Sequence, residues 1–500
     1  MRTNLEGSRF DVLVIGGGIT GAGVARDAAM RGLEVALVEK NDFASGTSSR
    51  SSRLVHGGIR YLEYAQVGMG RESVRERETL RRIAPHLVHA LEFTWPVYRK
   101  ARISRTKLRF GLAVYNVLAG KVAFPRIDSR VAVRNREPLI NANGLHGGAV
   151  YTDAATDDSR LTLANILAAK DSGAIVVNHA EAVRPISRDR DHWCVKVHDA
   201  ALNADFDVRA NVIVNATGPW RLNLERRWPQ HRAQRRGSKG VHIAVPQTAI
   251  GNHGALTILH PDDGRVMFIL PSGKFTIVGT TDTWTDESPE EVRASMGDIR
   301  YLLSGANAYF PEARLTERDI VSAWAGIRPL ADWDPDKSPS EFSREHRINR
   351  NGAGMITVSG GKLTTYRAMA QEIVDSVENE LGRKPTKCTT TDVDLPGAER
   401  TGAVAEMISA DPATAACVVP DLPYTIAELR YAVEHEMALT LSDLLMRRTR
   451  IAFETPDHGV SVAAAVADAV SQVAGWDKHQ RSAQIDAYAD DAARVFGIEP

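Results

Sequence analysis

The amino-acid sequence predicts an α/β fold: a doubly wound domain, a second domain built on an antiparallel sheet, and a helical C-terminal domain. Residues 10–15 form a short apolar run that ends in glycines, and a helix-like segment separates it from a second apolar run at 34–38, which is the βαβ opening of a doubly wound sheet. Four strand-like runs follow one another closely between residues 241 and 285. After residue 397 the composition shifts to alanine and other helix formers.

Length and composition indicate a globular protein of several domains. A chain of 500 residues exceeds what one hydrophobic core usually organises, so we expect two or three domains. Lys plus Arg and Asp plus Glu both number 62, so no net charge attracts nucleic acid, and we expect no nucleic-acid partner. Cys194, Cys388 and Cys417 form no CxxC pair, which argues against a disulfide framework and a zinc ribbon and fits a reducing compartment. We therefore expect no bound metal.

The sequence gives no sign of a membrane-crossing segment. Residues 1–11 lack an apolar signal-peptide core, and no apolar run reaches the roughly 20 residues that a bilayer span needs. We expect a cytoplasmic protein, or one that lies on a membrane without crossing it.

Several segments predict individual elements. Acidic caps at Asp157 begin a helix that runs to Lys170, and residues 70–84 predict a charged surface helix. A strand at 355–358 leads into a helix that continues through Leu381. Near the end of the chain, apolar residues recur at i, i+4 and i+8, which predicts one helix face made of Leu429, Val433 and Met437.

The first candidate binding motif lies where the first strand meets the first helix. Glycines here permit a tight turn and let a pyrophosphate approach backbone N–H groups at the helix N-terminus. Glu39 ends the next strand, where a carboxylate can accept from a ribose hydroxyl. The alternative is a glycine-rich turn used only for packing. The motif consists of Gly16, Gly17, Gly18, Ile19, Thr20 and Gly21.

Two later segments also bring small residues to the end of a strand. The strand at 212–214 runs into Asn215-Ala216-Thr217-Gly218, and the segment 359–367 forms a strand-to-helix junction rich in glycine and threonine. Taken alone, the segment 212–218 could equally be an ordinary strand followed by a turn. The segment 359–367 could be a helix N-cap with glycines for the turn. Three such approaches spread over 350 residues favour a cofactor as extended as FAD over a single phosphate.

Two longer motifs carry a family resemblance. The runs His56-Gly57-Gly58-Ile59-Arg60-Tyr61-Leu62-Glu63 and Gly360-Gly361-Lys362-Leu363-Thr364-Thr365-Tyr366-Arg367 resemble those of the FAD-dependent, quinone-linked glycerol-3-phosphate dehydrogenases of respiratory chains. Matching segments run from residue 11 to about 397 and resume near 425–452. The resemblance implies that FAD is bound by residues of the first motif together with Glu39, Thr47, Ser48, Ser49, His56, Gly57, Gly58, Gly218, Gly361, Lys362, Leu363 and Thr364.

We expect the following division of the chain into domains. Residues 1–396 form the FAD-dependent oxidoreductase region. Its FAD-binding parts are expected at about 10–95, 150–220 and 350–385, and its substrate-domain parts at about 96–149 and 221–349. Residues 397–500 form the helical C-terminal domain. The stretch 398–425 looks shorter than in the family, which leaves the role of that domain open.

The substrate implied by the resemblance is glycerol 3-phosphate, and its phosphate dianion needs two or three cationic donors. Arg60, Arg328 and Arg344 are the candidates, although a surface ion pair is the ordinary use of any single arginine. Tyr61 is a candidate to hydrogen-bond the substrate.

Oxidation of the alcohol also needs a base for the hydroxyl proton. His242 is the first choice because imidazole titrates near physiological pH, although a histidine that serves only the strand is the alternative. Lys362 is the competing candidate, either as base or as the cation that stabilises reduced flavin.

One segment suggests a membrane surface. Residues 97–126 carry six cationic side chains from Arg99 to Arg109 and then the apolar stretch 110–118. Such a segment suits the anionic face of a bilayer, and a buried helix with a solvated basic flank is the alternative.

The predicted function is oxidation of sn-glycerol 3-phosphate to dihydroxyacetone phosphate by hydride transfer to FAD, with electrons passed to a quinone. The expected place is the cytoplasm, at the inner face of the membrane. An FAD-dependent oxidase that acts on glycerol 3-phosphate or an amino acid and forms hydrogen peroxide is one alternative. A non-catalytic flavin-binding redox sensor is another, and whether the protein forms a homodimer stays open.

Overall fold

A computed structural model describes residues 5–58, 67–99, 102–118, 125–189, 192–221, 237–330, 342, 345–350 and 354–500. The strands are β1 Arg9–Ile15, β2 Val35–Val38, β3 Leu54–Val55, β4 Val88–Tyr98, β5 Arg126–Ser129, β6 Leu145–Thr156, β7 Ile175–Val177, β8 Ala180–Asp189, β9 His192–Asp199, β10 Ala204–Asn215, β11 Gly237–Pro246, β12 Ala255–Leu259, β13 Val266–Ser272, β14 Phe275–Gly279, β15 Thr283–Thr285, β16 Ala294–Ser295, β17 Ser322–Arg328, β18 Arg347–Arg350, β19 Met355–Ser359 and β20 Ile498–Glu499.

The helices, in chain order, are α1 Ile19–Met30, α2 Val67–Ile83, α3 Arg105–Leu118, α4 Arg130–Arg136, α5 Asp158–Asp171, α6 Gln247–Ile250, α7 Met296–Tyr309, α8 Tyr366–Glu380, α9 Arg400–Ala410, α10 Ile426–His435, α11 Leu441–Asp443, α12 Ile451–Glu454, α13 Ala463–Ala474 and α14 Lys478–Phe496. Single helical turns occur at Thr47–Ser49, Gly218–Trp220, Pro311–Ala313, Glu317–Asp319, Leu363–Thr365, Leu444–Arg448, Pro412–Ala415 and Val460–Val462.

The first sheet is the doubly wound one. Within the described residues it has eight strands, and its main path runs β18-β19-β10-β1-β2-β7. Strands β19, β10, β1, β2 and β7 are parallel, with Val12 opposite both Val212 and Val35. The side chains of β2 and β19 are all buried, as are most of those of β1 and the last four of β10, in line with the unbroken apolar runs. Helix α1 packs against both α5 and α8 over this sheet.

The second sheet is mainly antiparallel. In the described part of the chain its ten strands follow the main path β15-β11-β14-β13-β12-β4-β6-β3, with β17 paired to β11 and β5 to β6. The predicted strands between residues 241 and 285 are β11 to β14. They pair with one another antiparallel, and β12 also pairs parallel with β4. Helix α7 covers one face of this sheet.

The C-terminal helices contact both sheets. Phe453 and Phe496 meet ring to ring at 5.0 Å, and Phe453 also meets Trp324 of β17 at 5.2 Å. On the side of the first sheet, the buried carboxylate of Asp42 accepts hydrogen bonds from Arg447 and Arg448. The fold therefore joins the helical region to the sheets through both an apolar and an ionic contact.

The predicted fold class is confirmed, and two details of the predicted elements are wrong. Helix α2 is not simply a charged surface helix, because Glu76 and Arg77 are buried and form ion pairs with Arg367 and Asp153. Met437 does not extend the helix face of Leu429, since α10 ends at His435 and Met437 has a left-handed backbone with φ of 58°.

The division of the chain into domains stays a prediction. The boundary expected near residue 95 falls within β4, and β4 belongs to the second sheet along its whole length. Among the described residues, no helix combines the length and the apolar composition that a bilayer crossing requires.

Candidate active site

Four neighbouring parallel strands end at one side of a single cavity of about 500 Å³. The strands are β19, β10, β1 and β2, and the residues that follow them, Gly360, Ala216, Gly16 and Glu39, all line the cavity. Adjacent strands lie about 4.8 Å apart, so four strand ends span about 14 Å. The site therefore suits an elongated ligand, and it occupies the carboxyl edge where doubly wound sheets bind their ligands.

The glycines of the first motif form a cradle that side chains would fill. A Cβ added to Gly21 would lie 1.9 Å from the carbonyl oxygen of Gly16, and one added to Gly16 would lie 2.7 Å from that of Ala216. Gly16 also has φ of 110°, which favours glycine. Gly18 caps α1, whose first turn contains no acidic residue. The helix N-terminus is thus available to a pyrophosphate.

Glu39 is already oriented by the backbone around it. Its carboxylate accepts hydrogen bonds from the N–H of Gly17 at 2.7 Å and from that of Asn41 at 2.9 Å. Burial raises the pKa of Glu39, while the N–H groups of Asn41 and Gly17 oppose the rise. This arrangement suits recognition of ribose hydroxyls.

Most of the predicted cofactor-binding residues meet at the cavity. Those that line it are Gly16, Gly18, Ile19, Thr20, Glu39, Thr47, Ser48, His56, Gly58, Gly218, Gly361, Lys362, Leu363 and Thr364. Four do not line it and instead support it from behind: Gly17, Gly21, Ser49 and Gly57. Gly57, for example, donates its N–H to Asp153 and has no room for a side chain beside Tyr115.

Arg328 ends β17 and reaches the same cavity. Its guanidinium donates to the hydroxyls of Ser238 and Thr280 at 3.1 and 2.9 Å and to Asp282 at 3.1 Å. A Cβ at Gly240 would lie 2.2 Å from Nη2, so glycine there makes room for the guanidinium. The guanidinium is held in place, and its side chain is about one-quarter exposed at 24%.

His242 lies on β11, where its side chain is only 2% exposed. Nε2 lies 2.8 Å from the hydroxyl of Ser52, and the imidazole stacks on Trp324 with ring centroids 5.5 Å apart. Burial, together with the charges of Arg328 and Arg53, lowers the pKa of His242 to about 3. The imidazole is therefore neutral at neutral pH.

Comparison with known proteins places this geometry in a family. Residues 11–367 match the FAD dependent oxidoreductase family, and residues 397–481 match the C-terminal domain of alpha-glycerophosphate oxidase. The aerobic glycerol-3-phosphate dehydrogenase of Staphylococcus saprophyticus is 34% identical over 97% of this chain and 94% of its own length. The chain belongs to the glycerol-3-phosphate dehydrogenase family.

Two further relatives agree with this assignment. The glycerol-3-phosphate dehydrogenase of Synechocystis is 35% identical over 97% of this chain and 96% of its own length. A crystal structure of the glycerol-3-phosphate dehydrogenase from Bacillus halodurans complexed with FAD superposes with a TM-score of 0.79, at 29% identity, over 98% of this chain and 96% of that one. The cofactor of this member of the glycerol-3-phosphate dehydrogenase family is FAD, as predicted.

Lys362, in the second motif shared with glycerol-3-phosphate dehydrogenases, also lines the cavity. Its Nζ donates to the hydroxyl of Ser73 on α2 at 2.7 Å. Arg60, Tyr61 and Arg344, the other predicted substrate-binding residues, lie outside the described residues.

The sequence did not single out several residues that complete the site. Ser52 contacts His242, Asp282 contacts Arg328, and Trp324 stacks on His242. Ser52 falls within residues 41–62, a long polar stretch whose sequence is typical of either a functional or a disordered loop and indicates no partner for any side chain. Asp282 lies between β14 and β15, and no local pattern in the sequence indicates its contact with Arg328.

Proposed function

We propose that this protein oxidises sn-glycerol 3-phosphate to dihydroxyacetone phosphate and passes the electrons through FAD to a quinone. The observation that carries the proposal is the single cavity that Arg328, His242 and Lys362 share with the glycine cradle. A cation for a phosphate, a neutral base for an alcohol and a flavin site are the three parts that this oxidation needs. The names of the relatives support the choice of substrate.

The phosphate dianion is bound, in this proposal, by Arg328 together with Arg60 and Arg344. The guanidinium of Arg328 offers a planar fork that matches two phosphate oxygens, and its contacts with Thr280 and Asp282 fix the direction of that fork. Tyr61 is proposed to hydrogen-bond the substrate. Such binding orients the C2 carbon before the reaction begins.

Bound FAD supplies the two-electron acceptor, and a residue of this chain must take the hydroxyl proton. We favour His242, because its buried imidazole is neutral and accepts a proton without first losing one. A pKa near 3 makes a weak base, but a phosphate dianion beside Arg328 offsets one of the charges that lower it. Lys362 remains the alternative base, or the cation that stabilises reduced flavin.

The experiment that tests the substrate is an anaerobic absorbance spectrum of the purified flavoprotein. Addition of glycerol 3-phosphate should reduce the flavin and remove almost all of its absorbance band. Glycerol at the same concentration should leave most of the flavin oxidised, because glycerol lacks the phosphate. A spectrum that glycerol 3-phosphate leaves unchanged would refute the proposed function. It would instead favour the alternative that the protein is a non-catalytic flavin-binding redox sensor.

A second candidate function differs only in the electron acceptor. The match of residues 397–481 to the C-terminal domain of alpha-glycerophosphate oxidase favours it, since an oxidase returns the electrons to oxygen and forms hydrogen peroxide. Turnover with glycerol 3-phosphate should be compared in air, with peroxide measured, and without oxygen, with a soluble quinone as acceptor. Peroxide in amounts equal to the product formed would establish the oxidase and exclude the quinone proposal.

We further propose that the protein lies on the cytoplasmic face of a membrane, where a lipid-soluble quinone is reached. The support is the outward face of α3. Phe110 and Val117 are 73% and 68% exposed, and Lys107 and Arg109 are exposed beside them. Exposed apolar side chains flanked by cations suit the boundary of an anionic bilayer.

A further inference from the structure

His242 is enclosed on nearly every side. Trp324 covers one face of the ring, the two planes lying 12° apart. A Cβ at Gly279 would come within 2.3 Å of Cδ2, so the ring packs directly on that backbone. Nδ1 is buried and, in the described part of the chain, has no hydrogen-bond partner. Nε2 is therefore the ring nitrogen through which His242 exchanges protons, and its neighbour is the hydroxyl of Ser52.

Ser52 occupies the hydrogen-bonding position of Nε2 of His242, and both residues line the cavity. Ser52 is half-buried, and its Oγ is 2.8 Å from Nε2. Because the Ser52 hydroxyl already contacts Nε2, a substrate in the cavity can exchange a proton with this nitrogen through that hydroxyl. A hydroxyl has one proton to give and two lone pairs to accept with, so it can receive one proton while it passes on another.

The turn that carries Ser52 is held from both sides. The N–H and the hydroxyl of Ser51 both donate to the buried carboxylate of Asp158, at 3.1 and 2.7 Å. On the other side, Arg53 has a left-handed backbone with φ of 55°, and its guanidinium packs over the rings of Trp324 and Phe453 at 5.4 and 4.9 Å. These contacts fix the Ser52 hydroxyl against Nε2.

We propose that Ser52 is a catalytic residue that relays the hydroxyl proton of the substrate to His242; the inference rests on the proposed function. The O–H bond at C2 breaks and its proton binds Oγ of Ser52, while the proton of Ser52 moves to Nε2 of the neutral imidazole. The C–H electron pair leaves C2 as a hydride to the oxidised flavin, and C2–O becomes a carbonyl. The substrate thus loses one proton and one hydride, and the imidazolium later returns its proton to water by the same route.

The relay requires the tautomer of His242 that carries its proton on Nδ1. Nδ1 lacks a described partner in either tautomer, and the Ser52 hydroxyl can either accept from Nε2–H or donate to Nε2; the relay uses the second arrangement. Burial and the neighbouring cations Arg328 and Arg53 keep the imidazole neutral, which leaves the lone pair of Nε2 free to accept.

The test compares Ser52→Ala with Ser52→Thr, which keeps the hydroxyl. Flavin reduction by glycerol 3-phosphate is followed by rapid mixing without oxygen, and binding of inorganic phosphate is followed separately from the flavin spectrum. Ser52→Ala should slow reduction by about 100-fold, the usual effect of losing one proton-transfer group, with phosphate binding unchanged. Ser52→Thr should stay close to the wild type.

A double-variant cycle with His242→Gln separates a relay from two independent roles. Groups that act as one unit are not additive, so the double variant should be no slower than the slower single variant. If the double variant is slowed by the product of the two single-variant factors, the two residues act independently and the relay is wrong. The relay would also be overturned by rapid reduction in Ser52→Ala, slow reduction in Ser52→Thr, or a matching loss of phosphate binding in Ser52→Ala. A wild-type flavin that glycerol 3-phosphate does not reduce would instead refute the proposed function, and the relay with it.

Discussion

At the residue scale, Arg328 combines its proposed recognition of the substrate's charge with support of the site. Its guanidinium faces the cavity while it holds Ser238, Thr280 and Asp282. Arg328→Ala should raise the KM for glycerol 3-phosphate more than tenfold with FAD retained, because a charge-assisted contact to phosphate contributes about 1.5–3 kcal/mol. Steady-state kinetics and the flavin content of the purified variant are the measurements.

Arg328→Lys is the matched control for that substitution. It keeps the charge but loses the planar fork, so its KM should fall between those of the wild type and Arg328→Ala. An Arg328→Ala enzyme with wild-type kcat/KM would show that the phosphate binds elsewhere.

His242 should make the folded protein sensitive to acid. Burial and the charges of Arg328 and Arg53 lower its pKa in the folded state to about 3, from an ordinary 6.5. Between these values the unfolded chain binds the extra proton, so the contribution of His242 to stability is complete above pH 6.5 and is lost as the pH falls toward 3. The steepest loss is about 1.4 kcal/mol per pH unit.

The variant His242→Gln should therefore flatten the acid side of the stability profile. Unfolding temperatures of FAD-saturated wild type and variant, measured from pH 7.5 down to pH 4, should converge as the pH falls. His479→Gln, at an exposed position of α14, is the control and should follow the wild type. Parallel profiles for His242→Gln and wild type would contradict the assignment of the acid sensitivity to this group.

The residue types at the site could be predicted, but their partners could not. Glycines at 16, 18 and 21 follow from the geometry of a pyrophosphate turn, which any chain with this function must satisfy. The contact of Ser52 with His242 joins residues 190 positions apart, and it depends on how the loop before β3 folds against β11 of the same sheet. No local pattern encodes such a pairing, so the choice of His242 as the candidate base gave no indication of Ser52 or Trp324.

At the scale of elements, α3 carries the proposed membrane contact. Leu108, Leu112 and Tyr115 are buried, which leaves Lys107, Arg109, Phe110 and Val117 outside. Lys107→Glu combined with Arg109→Glu should abolish the salt-sensitive part of binding to anionic liposomes, since each cation at such a surface contributes about 1 kcal/mol. Flotation across a salt series is the measurement, and activity with a soluble dye should persist.

Two further variants sharpen that experiment. Phe110→Ser should remove the part of binding that salt does not reverse, because it removes the most exposed apolar side chain of α3. Lys384→Glu combined with Lys387→Glu reverses two exposed cations far along the chain and should leave flotation unchanged. If the α3 variants still float with the vesicles, α3 does not carry the membrane contact.

Helices and strands could be predicted from the sequence where a single local interaction determines them. The apolar strands β1 and β2 and the capped helix α5 lie within a residue or two of their predicted bounds, because burial and capping act locally. Helix α2 formed as predicted, but its buried Glu76 and Arg77 are held by Arg367 and Asp153, which lie far away in the sequence. The charged sequence therefore predicted the helix correctly, but it wrongly predicted that the face with Glu76 and Arg77 is exposed to solvent.

At the scale of the whole molecule, the ion pairs of Asp42 join the first sheet to the C-terminal helices. Its carboxylate is fully buried and accepts from Arg447 at 2.6 Å and from Arg448 at 2.7 Å. Asp42→Asn should destabilise the protein by about 3–5 kcal/mol, because it leaves buried guanidinium charge uncompensated. The unfolding temperature should drop clearly, measured by calorimetry at neutral pH.

Glu317→Gln is the control, since it breaks an exposed pair with Arg300 whose contribution to stability should be about 1 kcal/mol or less. Equal unfolding temperatures for Asp42→Asn and the wild type would show that the ion pairs of Asp42 do not stabilise the junction between the two regions.

The strand order of the first sheet has a consequence for synthesis of the chain. Strand β1 pairs with β10, so Val12 cannot pair with Val212 until β10 has been synthesised. Strand β10 in turn pairs with β19 near residue 355. At about 5–20 residues per second, a ribosome needs roughly 10–40 s to deliver β10 after β1, and about 7–30 s more to reach β19. During that interval β1 exposes an unpaired apolar edge, which is a hazard for aggregation. Cellular yield should therefore depend on chaperones and growth temperature even where the finished fold is stable.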